Sequence, residues 1–457
     1  MHYPTRLQRW LPIFDWGSRY DRNTAIDDLL AAVIVTIMLV PQSLAYALLA
    51  GLPPQVGLYA SMLPLVAYAL FGTSRVLAVG PVAVVSLMTA TAVGQLAAGG
   101  SIEYQNAAIV LALLVGLVSL AMGLLRLGFL ATFLSHPVIA SFISATAILI
   151  AVGQLKYLLG VPLKGESLVE LVPALLSHLR EINVATLAIG LGTLVFLYWV
   201  RRACKAWLIR LGLAPRAADM LTKAGPVLAI AGTTLLAWQF DLAAHGVRVV
   251  GTIPAGLPHL VMPAFDVSLW KALLVPALLI SVVGFVESVS VGQTFAARRR
   301  QRIEPDQELI ALGASNIVSA ISSGMPVTGG FSRSVVNYDA GAQTPAAGVM
   351  TAIGLATVAL FLTPALYYLP QATLAATIII AVLGLVDLGF VRRLWAYAPG
   401  DSLAALATLL VTLLVGVESG LVSGVTLSLL YFLYRSSRPH IAEVGLVPDT
   451  EHFRNVL

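Results

Sequence analysis

Cysteine is almost absent: the 457 residues contain one, Cys204. No intramolecular disulfide framework can form, and a thiolate-built metal cluster has nothing to start from. Charge is scarce as well. Only 11% of the residues are Asp, Glu, Lys or Arg, against roughly 25% in an average soluble domain, which excludes an ordinary cytosolic enzyme. The seven histidines are scattered, His136 before Pro137 being the most suggestive. No pair stands at the i, i+4 spacing that ligates a metal from one helix face. Gly-rich phosphate loops of the Walker type are missing, so the nucleotide hydrolases fall away. No nucleophile comes with a base or metal motif, which leaves an intramembrane enzyme without machinery. A net charge of +5, from 27 basic and 22 acidic residues, is a small excess and does not point to nucleic acid. Neither a cofactor nor a metal is expected.

What the chain has is apolar length. Hydrophobic residues make up 58% of it, and between Leu29 and Ile102 the single charged side chain is Arg75. A membrane-crossing helix takes about 20 mostly apolar residues. Such spans read at about 29–50, 53–71, 76–97, 106–125, 137–159, 184–200 and 225–240. A second series follows at about 271–297, 308–323, 328–338, 345–364, 371–390, 401–416 and 418–434. Several are too short to cross as simple helices, which points to broken elements lined by protein rather than by lipid. The predicted fold is an all-α polytopic membrane protein of about 14 transmembrane segments in two inverted seven-span repeats.

Arg6, Arg9, Arg19, Arg22, Asp27 and Asp28 precede the first apolar run without a cleavage site, so the start of the chain reads as a cytoplasmic lead-in and not a signal peptide. Lys and Arg collect in cytoplasmic loops. Arg201, Arg202, Lys205, Arg210, Arg216 and Lys223, then Arg298, Arg299, Arg300 and Arg302, then Arg392, Arg393, Arg435 and Arg438 all fall on one side when spans are counted from a cytoplasmic N-terminus. The expected organisation is a lead-in over 1–24, a first repeat over 25–240, an extracellular loop over 241–270, a second repeat over 271–435 and a cytoplasmic segment over 436–457. Both termini are placed in the cytoplasm.

Two segments predict helix starts inside the membrane: Ala78-Val-Gly-Pro-Val-Ala-Val-Val-Ser86 and Pro326-Val-Thr-Gly-Gly-Phe-Ser-Arg-Ser-Val-Val336. Proline suits the first turn of a helix, and glycine lets the preceding backbone run extended. Two helix N-termini facing each other would aim unpaired N–H groups at the space between them, which attracts an anion. Arg333 lies in the second segment, and an arginine at bilayer depth costs about 2.5 to 3.5 kcal/mol on insertion scales. It reads as a fixed positive charge at the site, with Ser332 and Ser334 as neutral donors. The alternatives are pairing with Glu287 or snorkelling to the headgroups. Glu287 is the other isolated intramembrane charge. It reads either as a proton-loading carboxyl or as a permanently ionised partner of Arg333. In the first span, Pro41-Gln-Ser-Leu-Ala-Tyr46 reads as an unwound stretch, and Gln42, Ser43 and Tyr46 as neutral donors to an anion or as helix–helix glue. Asp387, Asp401 and Glu418 sit near span ends and receive no role.

The chain resembles the SulP family of sulfate permeases, bacterial relatives of animal solute carrier family 26. The block from Pro41-Gln-Ser-Leu-Ala-Tyr46 to Gly57-Leu-Tyr59, with Phe71-Gly-Thr-Ser-Arg75 and Gly80-Pro81, carries the likeness. So do Asp306 to Gly313, Gly330 to Ser334, and the Gly251–Pro258 loop. The resemblance implies a fold similar to uracil permease, with spans one to four and eight to eleven forming a core and the others a gate. It implies an anion site lined by Gln42, Tyr46, Val82, Ala83, Ser332 and Arg333, and proton-coupled symport through Glu287. Sodium-coupled bicarbonate members are similar but carry an aspartate in this span. Sulfate is the first expected substrate, then dicarboxylates such as succinate or fumarate, then bicarbonate, and an uncoupled exchanger or channel is the alternative class. Family members usually continue into a cytoplasmic STAS domain, which is expected to be missing after Leu457. A homodimer in a bacterial inner membrane is also expected.

Overall fold

The computed structural model describes residues 10–437 except 98, 100, 130–135, 163–164, 166, 215–217, 219–220, 223, 388 and 390–398, together with 444–446 and 453–455. Arg6, Arg9, Arg216, Lys223, Arg392, Arg393 and Arg438 lie outside the described residues, as do the side chains of His136, Glu418 and Arg435. The expected lead-in and C-terminal segment are therefore described only in part.

Helices and two short strands alternate in two series of seven. The first contains α1 (Arg22–Leu49), the pair α2 (Pro54–Tyr59) and α3 (Leu63–Phe71), β1 (Val79–Gly80) with α4 (Ala83–Gly94), α5 (Ile102–Leu124), α6 (His136–Gly153) with α7 (Leu155–Leu159), α8 (Val184–Trp199) and α9 (Gly225–Gln239). The second contains α10 (Val267–Arg299), α11 (Pro305–Ile321), β2 (Thr328–Gly329) with α12 (Phe331–Asp339), α13 (Ala346–Phe361), α14 (Gln371–Leu383), α15 (Pro399–Leu414) and α16 (Val417–Ser436). Six stretches of the described chain, among them α1, α5 and α10, are long and apolar enough to cross a bilayer unaided. With 12 and 9 residues, α4 and α12 are not.

The two series exchange partners. The fourth element of the first, α5, packs on α10 and α11, and its counterpart α13 packs on α1 and α3 in return. Further out, α6 packs on α15 while α14 packs on α8. Such reciprocity is what a pseudo-two-fold axis in the membrane plane produces. It divides the molecule into a core, α1 to α5 with α10 to α13, and a gate, α6 to α9 with α14 to α16.

Small residues set the closest approach in the core. A Cβ on Gly116 of α5 would stand 3.0 Å from the carbonyl oxygen of Gly313, and one on Gly313 of α11 would stand 2.8 Å from the backbone nitrogen of Leu120. Two backbones are in contact there, the arrangement that small residues permit between membrane helices. Two buried carboxylates tie loops to the same core. Glu308 accepts from Tyr68 Oη at 2.8 Å, from Thr73 N and Oγ1 at 2.8 and 2.6 Å, and from Ser74 N at 3.2 Å. Asp28 accepts from Gln343 N at 2.6 Å and from Thr344 N and Oγ1 at 3.1 and 2.5 Å. Each satisfies loop amides that would otherwise be buried without a partner.

The first span departs from expectation. It does not unwind at Pro41: α1 runs unbroken for 28 residues through the proline. Proline removes a single i to i−4 bond, and neighbouring helices hold the flanking turns. Ser43 is glue rather than an anion donor. Its hydroxyl donates to Ser61 Oγ at 2.7 Å, because Ser61 directs its own proton to Gly57 O at 2.7 Å.

Candidate functional site

β1 and β2 pair antiparallel near the middle of the core, Val79 opposite Gly329 and Gly80 opposite Thr328. Each strand leads directly into a helix, so α4 and α12 leave the crossing in opposite directions. Both helix starts follow from local sequence. Val82 holds extended backbone before α4, at φ −129° and ψ 154°, and Gly330 does so before α12 at φ −93° and ψ 129°. The first ladder bonds run from Ser86 N to Val82 O and from Ser334 N to Gly330 O. The amides of residues 83–85 and 331–333 therefore have no acceptor within their own helices.

Arg333 occupies the first turn of α12 and is only 2% exposed. That removes the snorkelling alternative. Its guanidinium lies across two glycines: a Cβ on Gly80 would come within 2.5 Å of Nη1, and one on Gly330 within 2.8 Å of Nε. Nη2 donates to Thr328 O at 3.3 Å, while Nη1 is buried with no partner. Glu287 on α10 faces the same region, and its Oε2 is likewise buried and unpartnered. Among the described residues the ion pairs are Arg19–Asp15 and Arg75–Asp15, and Glu287 forms none with Arg333. The two charges nonetheless act on one another and on Tyr46 through space.

Gln42 of α1 adds a third buried, unpartnered polar atom, its Oε1. Tyr46 is buried one turn further along the same helix, and Val82 and Ala83 are buried at the start of α4. Leaving a buried polar atom unpaired costs about 1 to 3 kcal/mol. Nη1 of Arg333, a buried donor left unpaired against Gly80, marks a place where a further acceptor is accommodated.

The structure separates Ser332 from Ser334. Ser332 is exposed. Ser334 is fully buried, accepts from Ala78 N at 3.0 Å and donates to Gly330 O at 2.8 Å, so its hydroxyl is committed to holding α12 against β1. Asn337 assists by donating to Val76 O at 3.0 Å. Residues passed over in the sequence do similar work on the other strand. Asn316 brackets Val327, accepting from its N–H at 2.8 Å and donating to its carbonyl at 2.9 Å. Ser288 and Thr328 join α10 to β2. The one sequence signal for them is position: Ser288 follows Glu287, and Thr328 precedes the Gly329-Gly330 break.

Set against known proteins, residues 26–408 match the model of the sulfate permease family. The chain belongs to the sulfate permease family. It is 39% identical to sulfate transporter 4.1, chloroplastic, of Arabidopsis thaliana over 98% of its own length and 63% of that relative's. The chain thus spans just under two thirds of that curated relative. Among solved structures, the murine solute carrier 26 family member A9 anion transporter in the inward-facing state superposes with a TM-score of 0.86 at 25% identity, over 100% of this chain and 76% of that one. The transmembrane domain of a cyanobacterium bicarbonate transporter shares the fold, with a TM-score of 0.74 at 22% identity over 89% and 98% of the two chains. The family membership and the shared fold agree with the fourteen-element inverted repeat and its core and gate.

Proposed function

We propose that this sulfate permease family member is a secondary active carrier that moves sulfate by alternating access, with Glu287 carrying the coupled proton. The observation that carries the reading is the Nη1 of Arg333, a buried and unpartnered cationic donor set between two helix starts. An anion there would be met by that guanidinium, by the free first-turn amides of α4 and α12, and by their positive dipole ends. Gln42 and Tyr46 would add neutral donors. Ser334 would position α12 rather than touch the anion. Named sulfate transporters among the relatives favour sulfate over the other anions of similar charge.

Two features support movement of the core against the gate. The contact between them is apolar: Leu39, Leu44, Tyr46 and Ala83 of the core cluster with Ala147, Ile150, Leu374 and Ile378 of the gate. A surface of this kind has no directional bonds to break when it slides. The cluster continues to Ile253 and Leu369, while Ser332, Gln293 and Thr294 are exposed on the side of the arginine run 298–300. We read this conformation as inward-facing, with both termini on that side.

The test is radiolabelled sulfate uptake into proteoliposomes, with and without an inward proton gradient, for the parent and Glu287→Gln. A glutamine keeps the shape of the protonated carboxyl and cannot release the proton. Gradient-stimulated uptake in the parent, lost in the variant while sulfate exchange persists, is the expected result. Equal stimulation in both would remove Glu287 from coupling, and unsaturable uptake would favour a channel.

A further inference from the structure

We propose that Ser288 and Thr328 are positioning residues that lock Arg333 and Glu287 into one rigid frame, so that anion and proton are bound at a fixed separation. This rests on the reading of Arg333 and Glu287 as the transport site.

The proton directions in the Ser288–Thr328 pair are determined by their partners. Thr328 Oγ1 donates to Gly284 O at 2.7 Å, and a carbonyl can only accept. In the 2.8 Å contact between the two hydroxyls, Ser288 is therefore the donor. Ser288 Oγ in turn accepts from Gly329 N at 2.9 Å. A directed chain results: Gly329 N–H to Ser288, Ser288 to Thr328, Thr328 to Gly284 O. It begins on the backbone of β2 and ends on the backbone of α10.

The chain spans one helical turn, Gly284 to Ser288, and Glu287 lies within that turn. At its other end the carbonyl of Thr328 receives Nη2 of Arg333 at 3.3 Å. The two charged groups are thus joined through two hydroxyls and one strand residue. The seat is close-fitting. A Cβ on Gly284 would come within 2.9 Å of Thr328 Oγ1, and one on Gly329 within 2.8 Å of Ser288 Oγ. Because Thr328 also pairs with Gly80, the frame extends to the first repeat. Charges mounted on one frame move together when the core moves. Charges mounted on independent elements would let the anion cross without the proton.

Thr328→Val keeps the shape and removes the hydroxyl, which cuts the chain between Ser288 and the carbonyl of Gly284. Thr328→Ser restores the hydroxyl without the methyl. In proteoliposomes carrying the purified full chain, Thr328→Val is expected to raise the sulfate KM about tenfold, the cost of a buried bond left unmade. It should also lower the ratio of proton-driven uptake to sulfate exchange by a similar factor. Thr328→Ser should return both readouts to within about twofold of the parent. Ser288→Ala should behave as Thr328→Val does, and the double variant should be no worse than either single, because one chain is cut. A purely structural bond would lower melting temperature without moving the uptake ratio.

Parental KM and uptake ratio in Thr328→Val would overturn the proposal, as would a Thr328→Ser protein as impaired as the valine variant. Arg333→Ala is the control for the underlying reading: parental transport in that variant refutes the site itself, whatever Thr328 does. If the parent carries none of sulfate, succinate or bicarbonate, deuterium exchange at the Gly329 amide decides. Faster exchange by about tenfold in Thr328→Val supports the frame, and parental exchange refutes it.

Discussion

Placing a methyl group on Gly80 tests the site without replacing any charged residue. The Cβ of Gly80→Ala would stand 2.5 Å from Nη1 of Arg333 and 3.3 Å from its Cζ. Ordinary contact begins near 3.4 Å, so the guanidinium must retreat by about 0.9 Å. For a dianion about 4 Å from the guanidinium, at an effective dielectric constant of about 20, attraction is about 8.3 kcal/mol, falling to about 6.6 at about 5 Å. The difference, about 1.7 kcal/mol, is a factor of about 18 in affinity. Sulfate Kd, measured by scintillation proximity on purified protein, should rise by about that factor, and melting temperature should fall as well, because Gly80 stands at φ +158°, which a residue with a Cβ adopts only under strain. Gly94→Ala, at the far end of the helix that β1 leads into, is the control for an added methyl. Nothing lies within 4 Å of its Cβ position, so affinity there should match the parent. Sulfate affinity within about twofold of the parent in Gly80→Ala would show that the guanidinium does not face the anion, and the site would have to be moved.

Glu308→Ala should destabilise the core by at least about 3 kcal/mol, because Tyr68, Thr73 and Ser74 lose the acceptor of their four hydrogen bonds. A melting temperature in detergent within about a degree of the parent would contradict that role. The exposed helix cap Asp21 gives a pH signature. Hydrogen bonds from Thr24 hold its carboxyl below the usual value near 3.8. A depressed folded value means that the cap contributes fully above the unfolded value and is lost as pH falls through the lower folded one. Amide exchange in the first turn of α1 should therefore quicken only below about pH 4, and Asp21→Ala should abolish that dependence. Quickening at a higher pH would assign the event to another group.

By itself the sequence determined the number and order of the spans, the two breaks and the two isolated charges. The reason is the solvent. Lipid forces each crossing to satisfy its own backbone, so apolar length, proline and glycine act locally and can be read one segment at a time. The starts of α4 and α12, at Ala83 and Phe331, fall within the two segments singled out from Gly and Pro. Tertiary structure alone decided which polar groups remained available. Ser332, Arg333 and Ser334 are neighbours in sequence, yet Ser334 is committed to Ala78, 256 positions away, while Arg333 keeps a free donor. Pro41 looked like a break and lies in a continuous helix. Asp28 reads in sequence as part of a lead-in and Glu308 as the first residue of a span, yet both are buried acceptors, for loops 315 and 235 positions distant. A hydrogen bond has no sequence signal when its partner is supplied by the other repeat. The inverted folding of two halves about one strand crossing brings those partners together, and hydropathy does not encode it residue by residue.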